Sequence, residues 1–351
     1  MFTTFSEAAL RGVDMSETLR LYHSKDDQYK GIIYDQSYNL VVQNFPVPKE
    51  FVFPQQRAEF LAAYASDSFP LTVYEAVEGT LIRVYRHAEQ WQISTSSRID
   101  AFSSTWASPQ SFGEQFAEWV ESISGVPLDV FLCSLRLDRT YFFLLPTSGL
   151  NRLGKLPTTE HQTREIFLVA IETDTHELLV GPQLPQDEVN LWSRTREWTV
   201  ATLDEFADLA ERYNLMYYRS TTELVKCMTT EYARRCALRG NQVNILYRYL
   251  ELYKSEAFDD CDALRSMFPE VDFETLLFDK TDRAVRLIHQ AYLNRYIHKQ
   301  VIHLPKALYI LIRKCHARYK ATGDKTTYVT VREIFLAQHP RHILQFLADV
   351  Q

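Results

Sequence analysis

The chain has 351 residues, of which 46% are hydrophobic and 24% are charged, proportions that exclude global disorder and a collagen-like fibre. At roughly 100–200 residues per domain, this length predicts two domains. The net charge of −7 argues against the whole molecule acting as a simple polyanion binder, and 20 Tyr with 21 Phe are enough for large cores or stacking surfaces. In chain order, Gly31 to Val42 (GIIYDQSYNLVV) predicts two short strands around a polar turn. Helices follow over Gln55 to Tyr64 and Phe112 to Ile123. Between them, Thr80 to Tyr85 and Trp91 to Thr95 predict a hairpin around the polar tip Arg86 to Gln90. Tyr141 to Leu145 and Ile166 to Ile171 are further apolar or aromatic runs of strand length, and Thr202 with Glu205 caps a helix over Leu203 to Arg212. This alternation predicts an α+β domain with antiparallel sheets over residues 1–230.

From about Thr229 the pattern becomes helical, with apolar residues such as Val243, Leu246, Leu250 and Leu287, Ala291, Ile297, so an all-α domain is expected over 231–351. Pro305 separates a helix ending near His303 from one starting near Lys306. Charge is segregated here. Asp259 to Asp282 carries eight acidic and two basic residues. Arg283 to Lys320 then carries nine basic residues and no acidic one: Arg283, Arg286, Arg295, Lys299, Lys306, Arg313, Lys314, Arg318 and Lys320. Tyr292, Tyr296, Tyr309 and Tyr319 are interleaved with them. A phosphate backbone favours such a cluster, and aromatic rings can stack on unpaired bases. The competing expectation is a solvated helix face docked on the protein's own acidic segment.

The five cysteines are an odd number without a CxxC spacing, which argues against a disulfide framework or a zinc cluster. His298 and His303 do not share the i, i+4 face of a helical metal site, and adjacent Cys315 and His316 diverge on a helix, so no metal site is expected. The opening MFTTFSEAALRG lacks the basic and apolar regions of a secretory signal, and apolar runs such as Ala307 to Ile312 are too short to span a bilayer. The expectation is a reduced, soluble, intracellular protein of the cytoplasm, not secreted and without a membrane partner.

Four stretches, read in order, resemble the T4 RNA ligase 1-like family of covalent nucleotidyltransferases. Gly31 to Phe51 resembles the family's opening strand pair and the loop after it. Val73 to Ala101 (VYEAVEGTLIRVYRHAEQWQISTSSRIDA) is similar to nucleotidyl motif I, normally Lys-x-Asp-Gly-Ser/Thr, and the hairpin beyond it. Thr140 to Leu153 is similar to motif III with its Asn-Arg tail, and Leu215 to Gly240 to motifs IV and V. Val331 to Val350 resembles the C-terminal helices. The resemblance implies a ligase-like nucleotidyltransferase domain ahead of the helical one.

The departures from the family pattern bear on function. A lysine with a depressed pKa attacks the α-phosphate of ATP in this chemistry, and its position holds Ala76. Glu78 stands for the motif's Asp, while Gly79 and Thr80 are retained. The motif III glutamate falls on Leu144, the motif IV Glu-Gly on Tyr213-Asn214, and of motif V's two lysines Lys226 remains while Met228 takes the other position. The lost carboxylates would hold ribose hydroxyls and magnesium, and the lost lysine would neutralise phosphate. The expected relict pocket is therefore Ala76, Glu78, Gly79, Leu144, Tyr213, Lys226 and Met228, plugged by Leu144, Tyr213 or Met228. No catalytic residue is assigned. Lys226 is either a phosphate contact or an edge-strand lysine facing solvent, Lys49 is read as a loop charge, and Asn151 and Arg152 as a turn and a surface pair. The expected function is that of a pseudoenzyme acting by binding, as a structural component (conceivably in the virion of a large DNA virus) or as an RNA binder. The alternative is an ATP-dependent RNA ligase whose lysine at position 76 was replaced. ATP and magnesium are expected as cofactors only in that case. The expected partner is a protein of an assembly or a structured RNA.

Overall fold

Residues 9–26, 28–106, 108–146, 165–189, 192 and 195–350 are described in a computed structural model of the chain. The strands are β1 (Leu10–Met15), β2 (Leu19–Ser24), β3 (Tyr29–Asp35), β4 (Leu40–Val42), β5 (Phe45–Pro46) and β6 (Lys49–Phe53). Then come β7 (Leu71–Glu75), β8 (Gly79–His87), β9 (Gln90–Thr95), β10 (Arg139–Pro146), β11 (Phe167–Thr173) and β12 (Leu178–Val180). The last three are β13 (Glu197–Val200), β14 (Leu215–Tyr218) and β15 (Leu224–Thr229). Among them lie α1 (Arg57–Tyr64), α2 (Phe112–Ser124), α3 (Leu128–Ser134), α4 (Gln186–Val189) and α5 (Leu203–Ala210).

The strands form three sheets: β1-β2-β3-β4 with β5 beside β3, then β12-β11-β10-β8-β9, then β13-β7-β14-β15-β6. Among the described residues, every pairing is antiparallel except β6 with β15. Local chemistry explains the corners. Ala88 and Glu89, both at positive φ, join β8 to β9, as a tight hairpin tip requires. The Asp35 carboxylate accepts the Asn39 N–H at 2.8 Å and closes the turn between β3 and β4. Ser111 and Glu114 form a full capping box on α2, and the Thr202 hydroxyl caps α5 at 3.1 Å from the Glu205 N–H.

Alternation along the strands splits the side chains between two faces. On the second sheet Ile82, Val84 and Phe143 pack under Phe116, Val120 and Phe131 of α2 and α3. On the third sheet Phe51, Phe53 and Tyr217 pack under Phe60 and Phe206 of α1 and α5, whose rings stack at 4.9 Å. The remaining faces, with Tyr85, Phe142 and Ala170 from the second sheet and Leu21 and Ile33 from the first, close a further core. Charges are buried near it. The Arg83 guanidinium is 1% exposed, donates to the carbonyls of Gly31 and Thr95, and has its pKa lowered to about 10 by burial. The Glu172 carboxylate accepts the Gln43 N–H at 3.2 Å and meets His176 Nδ1 at 2.5 Å.

The C-terminal third is helical, from α6 (Thr230–Arg239), α7 (Ile245–Lys254) and α8 (Phe258–Met267) through α9 (Lys280–Tyr292), α10 (Lys306–Thr322), α11 (Tyr328–Leu336) and α12 (Pro340–Ala348). Single π-helical stretches at Glu274–Asp279 and Leu293–Ile297 flank α9. The fold is therefore α+β, with largely antiparallel sheets and a helical C-terminal region. Packing divides the chain into two compact units, Met1–Cys236 and Ala237–Gln351, with the division inside α6. The change of sequence pattern at residue 230 marks where the helix starts, whereas packing changes two turns further on, because Tyr232 still lies against Lys226 of the sheet unit. The apolar period differs from expectation in two places: Val243 precedes α7 and is 45% exposed, and the stripe of α9 is displaced. The buried stripe of α9 is Ala284, Val285, Ile288, Ala291 and Tyr292, while Leu287 and Ile297 stand 47% and 57% exposed.

Candidate functional site

The strand that ends in Glu75 leads directly to Ala76. The Ala76 N–H is tied to the Asn214 carbonyl at 2.9 Å, and the Asn214 side-chain oxygen accepts the Thr229 N–H at 2.9 Å. Asn214 thus ties together the ends of β7, β14 and β15. Gly79 opens β8 for a steric reason. A Cβ there would fall 2.5 Å from the Leu145 carbonyl and 3.0 Å from the Leu144 side chain. Leu144 sits opposite Leu81 on one side and Phe167 on the other, so it fills space between strands.

Lys226 is on an interior strand, between β14 and β6, and not on an edge. Its ammonium lies 3.0 Å from the Glu50 carboxylate and 5.5 Å from the centre of the Tyr232 ring. Burial pushes the Tyr232 hydroxyl up, and the charge of Glu78 adds to the shift. Burial also raises the Cys236 thiol, opposed by Lys226. Glu50, Glu78, Lys226, Tyr232 and Cys236 therefore share one electrostatic neighbourhood, in which the surviving amine is already matched by a carboxylate. Met228 is 9% exposed and sits opposite Val52 of β6. Lys49 begins strand β6 and is not a loop charge. Its ammonium lies 5.2 Å from the Phe51 ring and 5.7 Å from the Tyr64 ring, on the face covered by α1 and α5.

Tyr213 packs into the core of the third sheet. Its ring packs 5.2 Å from Trp198 against the core under α1 and α5, with the Arg196 guanidinium 5.9 Å from its centre. On the third sheet Leu215 and Tyr217 face that core, and Met216 and Tyr218 face the other way. That other face forms one wall of a cavity of about 330 Å³, with Tyr74, Met216 and Tyr218 on one side and Leu144 and Phe167 on the other. Of the seven expected pocket residues only Leu144 lines it. Glu75 and Glu197 also line it, and no Lys, Arg or His does among the described residues. Asn151 and Arg152 lie outside the described residues. Among the described residues no group of three or more His, Cys, Asp or Glu is placed to hold a metal ion.

The helical unit presents the other candidate surface. Arg283 and Arg286 are exposed on α9, Lys299 and Lys306 follow, and Arg313, Lys314, Arg318 and Lys320 are exposed on α10. Within the described residues, Arg318 pairs with Glu333 at 2.7 Å and Lys314 donates to Gln338 at 2.5 Å. Arg295 and Arg313 both lie near the Tyr309 ring, at 5.3 and 5.9 Å from its centre. The His316 ring stacks on Tyr296 at 4.0 Å and 11°. Burial and Lys320 lower the His316 pKa, which favours the neutral ring. Asp262 pairs with Arg265, and Asp282 with Arg332, which lies beyond the basic run.

No protein-family model matches the chain. It is 24% identical over 324 residues to the "Immediate-early protein ICP-46 homolog" of Invertebrate iridescent virus 6, covering 86% of this chain and 69% of that protein. It is 24% identical over 196 residues to the protein of the same name in Invertebrate iridescent virus 3, covering 55% of this chain and 42% of that one. Among solved structures, two forms of an archaeal ATP-dependent RNA ligase are similar at 12% identity, with TM-scores of 0.44 and 0.42. Each comparison covers 76% of this chain and 70% of the ligase. No helix of the described residues is long and apolar enough to cross a membrane.

Proposed function

We propose that this chain is a ligase-like viral protein that no longer forms a covalent nucleotide adduct and acts by binding RNA through its helical unit. The reading rests first on the nucleophile position. Alanine supplies no amine, and the two lysines nearest in the family's order are engaged elsewhere: Lys226 by Glu50 at 3.0 Å and Lys49 by aromatic rings on the far face of its sheet. An adduct needs an unprotonated amine within reach of the α-phosphate, together with groups that neutralise the triphosphate. Leu144 and Met228 supply neither.

The observation that carries the binding half is the exposed cationic row of α9 and α10, where Arg283, Arg286, Lys299, Lys306 and Lys320 have no carboxylate partner among the described residues. Exposed cations spaced along two helices suit a phosphate backbone, and the tyrosines between them suit unpaired bases. The names of the viral relatives support placing the chain in an infected cell. A second reading, a protein partner in an assembly, is favoured by Leu287, Ile297, Val301 and Ile310, which stand exposed among the same cations.

The test of the first half is incubation with α-labelled ATP and magnesium, for the wild type and for Ala76→Lys. The expected result is no label on either protein. Label on Ala76→Lys would mean that the pocket still holds ATP productively and that the alternative, a ligase lacking only its lysine, is correct.

A further inference from the structure

The cavity between the second and third sheets is lined by aromatic, apolar and acidic residues. Its first wall is a single strand face. Glu197 sits directly opposite Tyr74, and Tyr74 opposite Met216, so all three side chains share that face with Tyr218. The Tyr74 and Tyr218 rings meet edge to face, 6.1 Å apart at 67°. Gly181 lies close behind them. A Cβ there would come 3.1 Å from the Tyr74 hydroxyl, so the backbone closes that side. Leu144 and Phe167, opposite each other on β10 and β11, form the facing wall.

The volume of about 330 Å³ lies at the lower end of small-molecule sites. Aromatic faces attract cations, and the carboxylate of Glu197, opposite Tyr74, adds negative charge beside them. Among the described lining residues nothing offsets a phosphate. The surrounding unit strengthens the bias, with 21 Lys and Arg against 32 Asp and Glu in residues 1–236.

The geometry points to a binding site for a small organic ammonium with an apolar or aromatic body, held by the faces of Tyr74 and Tyr218 with its charge at Glu197. This goes beyond RNA binding and is independent of it, because the helical unit takes no part.

The test titrates full-length protein with 2-phenylethylamine, with its neutral analogue 2-phenylethanol, and with ATP, reading heat of binding by calorimetry. The amine should bind, the alcohol should bind more weakly, and ATP should not compete. Glu197→Gln should weaken the amine about tenfold and leave the alcohol unchanged. Tyr74→Leu should weaken both. Glu197 is exposed at the rim, so its variant tests the site even if Tyr74→Leu fails to fold. No amine binding, equal binding of amine and alcohol, displacement of the amine by ATP, or indifference of the amine to Glu197→Gln would each overturn the assignment. RNA affinity measured on Glu197→Gln should not change, which separates this site from the helical one.

Discussion

The sheet unit holds 21 basic and 32 acidic residues, and the helical unit 17 and 13. Their cations are used differently. In the sheet unit Arg57 is held by Asp204, Asp208 and Glu211, Arg219 by Asp67 and Glu223, and Lys226 by Glu50. In the helical unit the residues from Arg283 to Lys320 include no acidic residue, and one of their nine cations, Arg318, has a carboxylate partner among the described residues. A surplus of carboxylates leaves few cations to meet a polyanion, whereas a run without them leaves a row exposed. The sheet unit is thus the less suited of the two to bind phosphate, and the helical unit is the better suited.

The largest effect expected is on the sheet unit's core. Phe143 lies between Phe116 at 5.4 Å and Trp192 at 4.7 Å and is fully buried. Phe143→Ala should cost about 3–5 kcal/mol, read as a fall in the denaturant midpoint. Next is the cationic row. Arg283→Glu, Arg286→Glu and Arg313→Glu together should weaken RNA binding by about a hundredfold or more and reduce the salt slope by roughly one for each phosphate no longer neutralised. Lys314→Glu with Arg318→Glu should do less, because Gln338 and Glu333 already engage those two side chains. Equal losses from both sets would break the distinction between engaged and available cations.

A smaller effect is expected at Gly79. Gly79→Ala places a methyl group against the Leu145 carbonyl, at a cost of about 1–3 kcal/mol without any nucleotide present. An unchanged melting temperature would show that the glycine is not needed for packing. The smallest is a pH effect. The Glu172 carboxylate raises the His176 pKa above 6.5. The folded state therefore holds this proton more tightly than the unfolded chain. The contribution is complete below pH 6.5 and is lost as pH rises through the higher folded value. His176→Gln should flatten that part of the stability profile.

Much of the fold was legible in the sequence. The β8–β9 hairpin, the strands β10 and β11, the α2 and α5 helices and the start of α10 after Pro305 all follow from local pattern and capping chemistry. Less of the site was legible, because its geometry depends on strand parity and neighbours. Tyr213 packs with Trp198 in the core under α1 and α5, while Met216 and Tyr218, which line the cavity, lie in a run whose alternation is a readable signal. Lys49 and Lys226 face opposite sides of neighbouring parallel strands, which their separation of 177 positions in sequence conceals. Leu287 and Ile297 read as core because they are apolar, yet the neighbouring stripe through Ala284, Ile288 and Ala291 is the one that packs.

The central claim is that the helical unit's cations bind RNA in a protein that does no ligation. It is tested most directly by measuring the affinity of the full chain for 5′-labelled structured RNA across a salt series without ATP. The account predicts tight binding at low salt and a steep linear loss of log affinity with log salt. Weak binding at low salt, or affinity indifferent to salt, would contradict it.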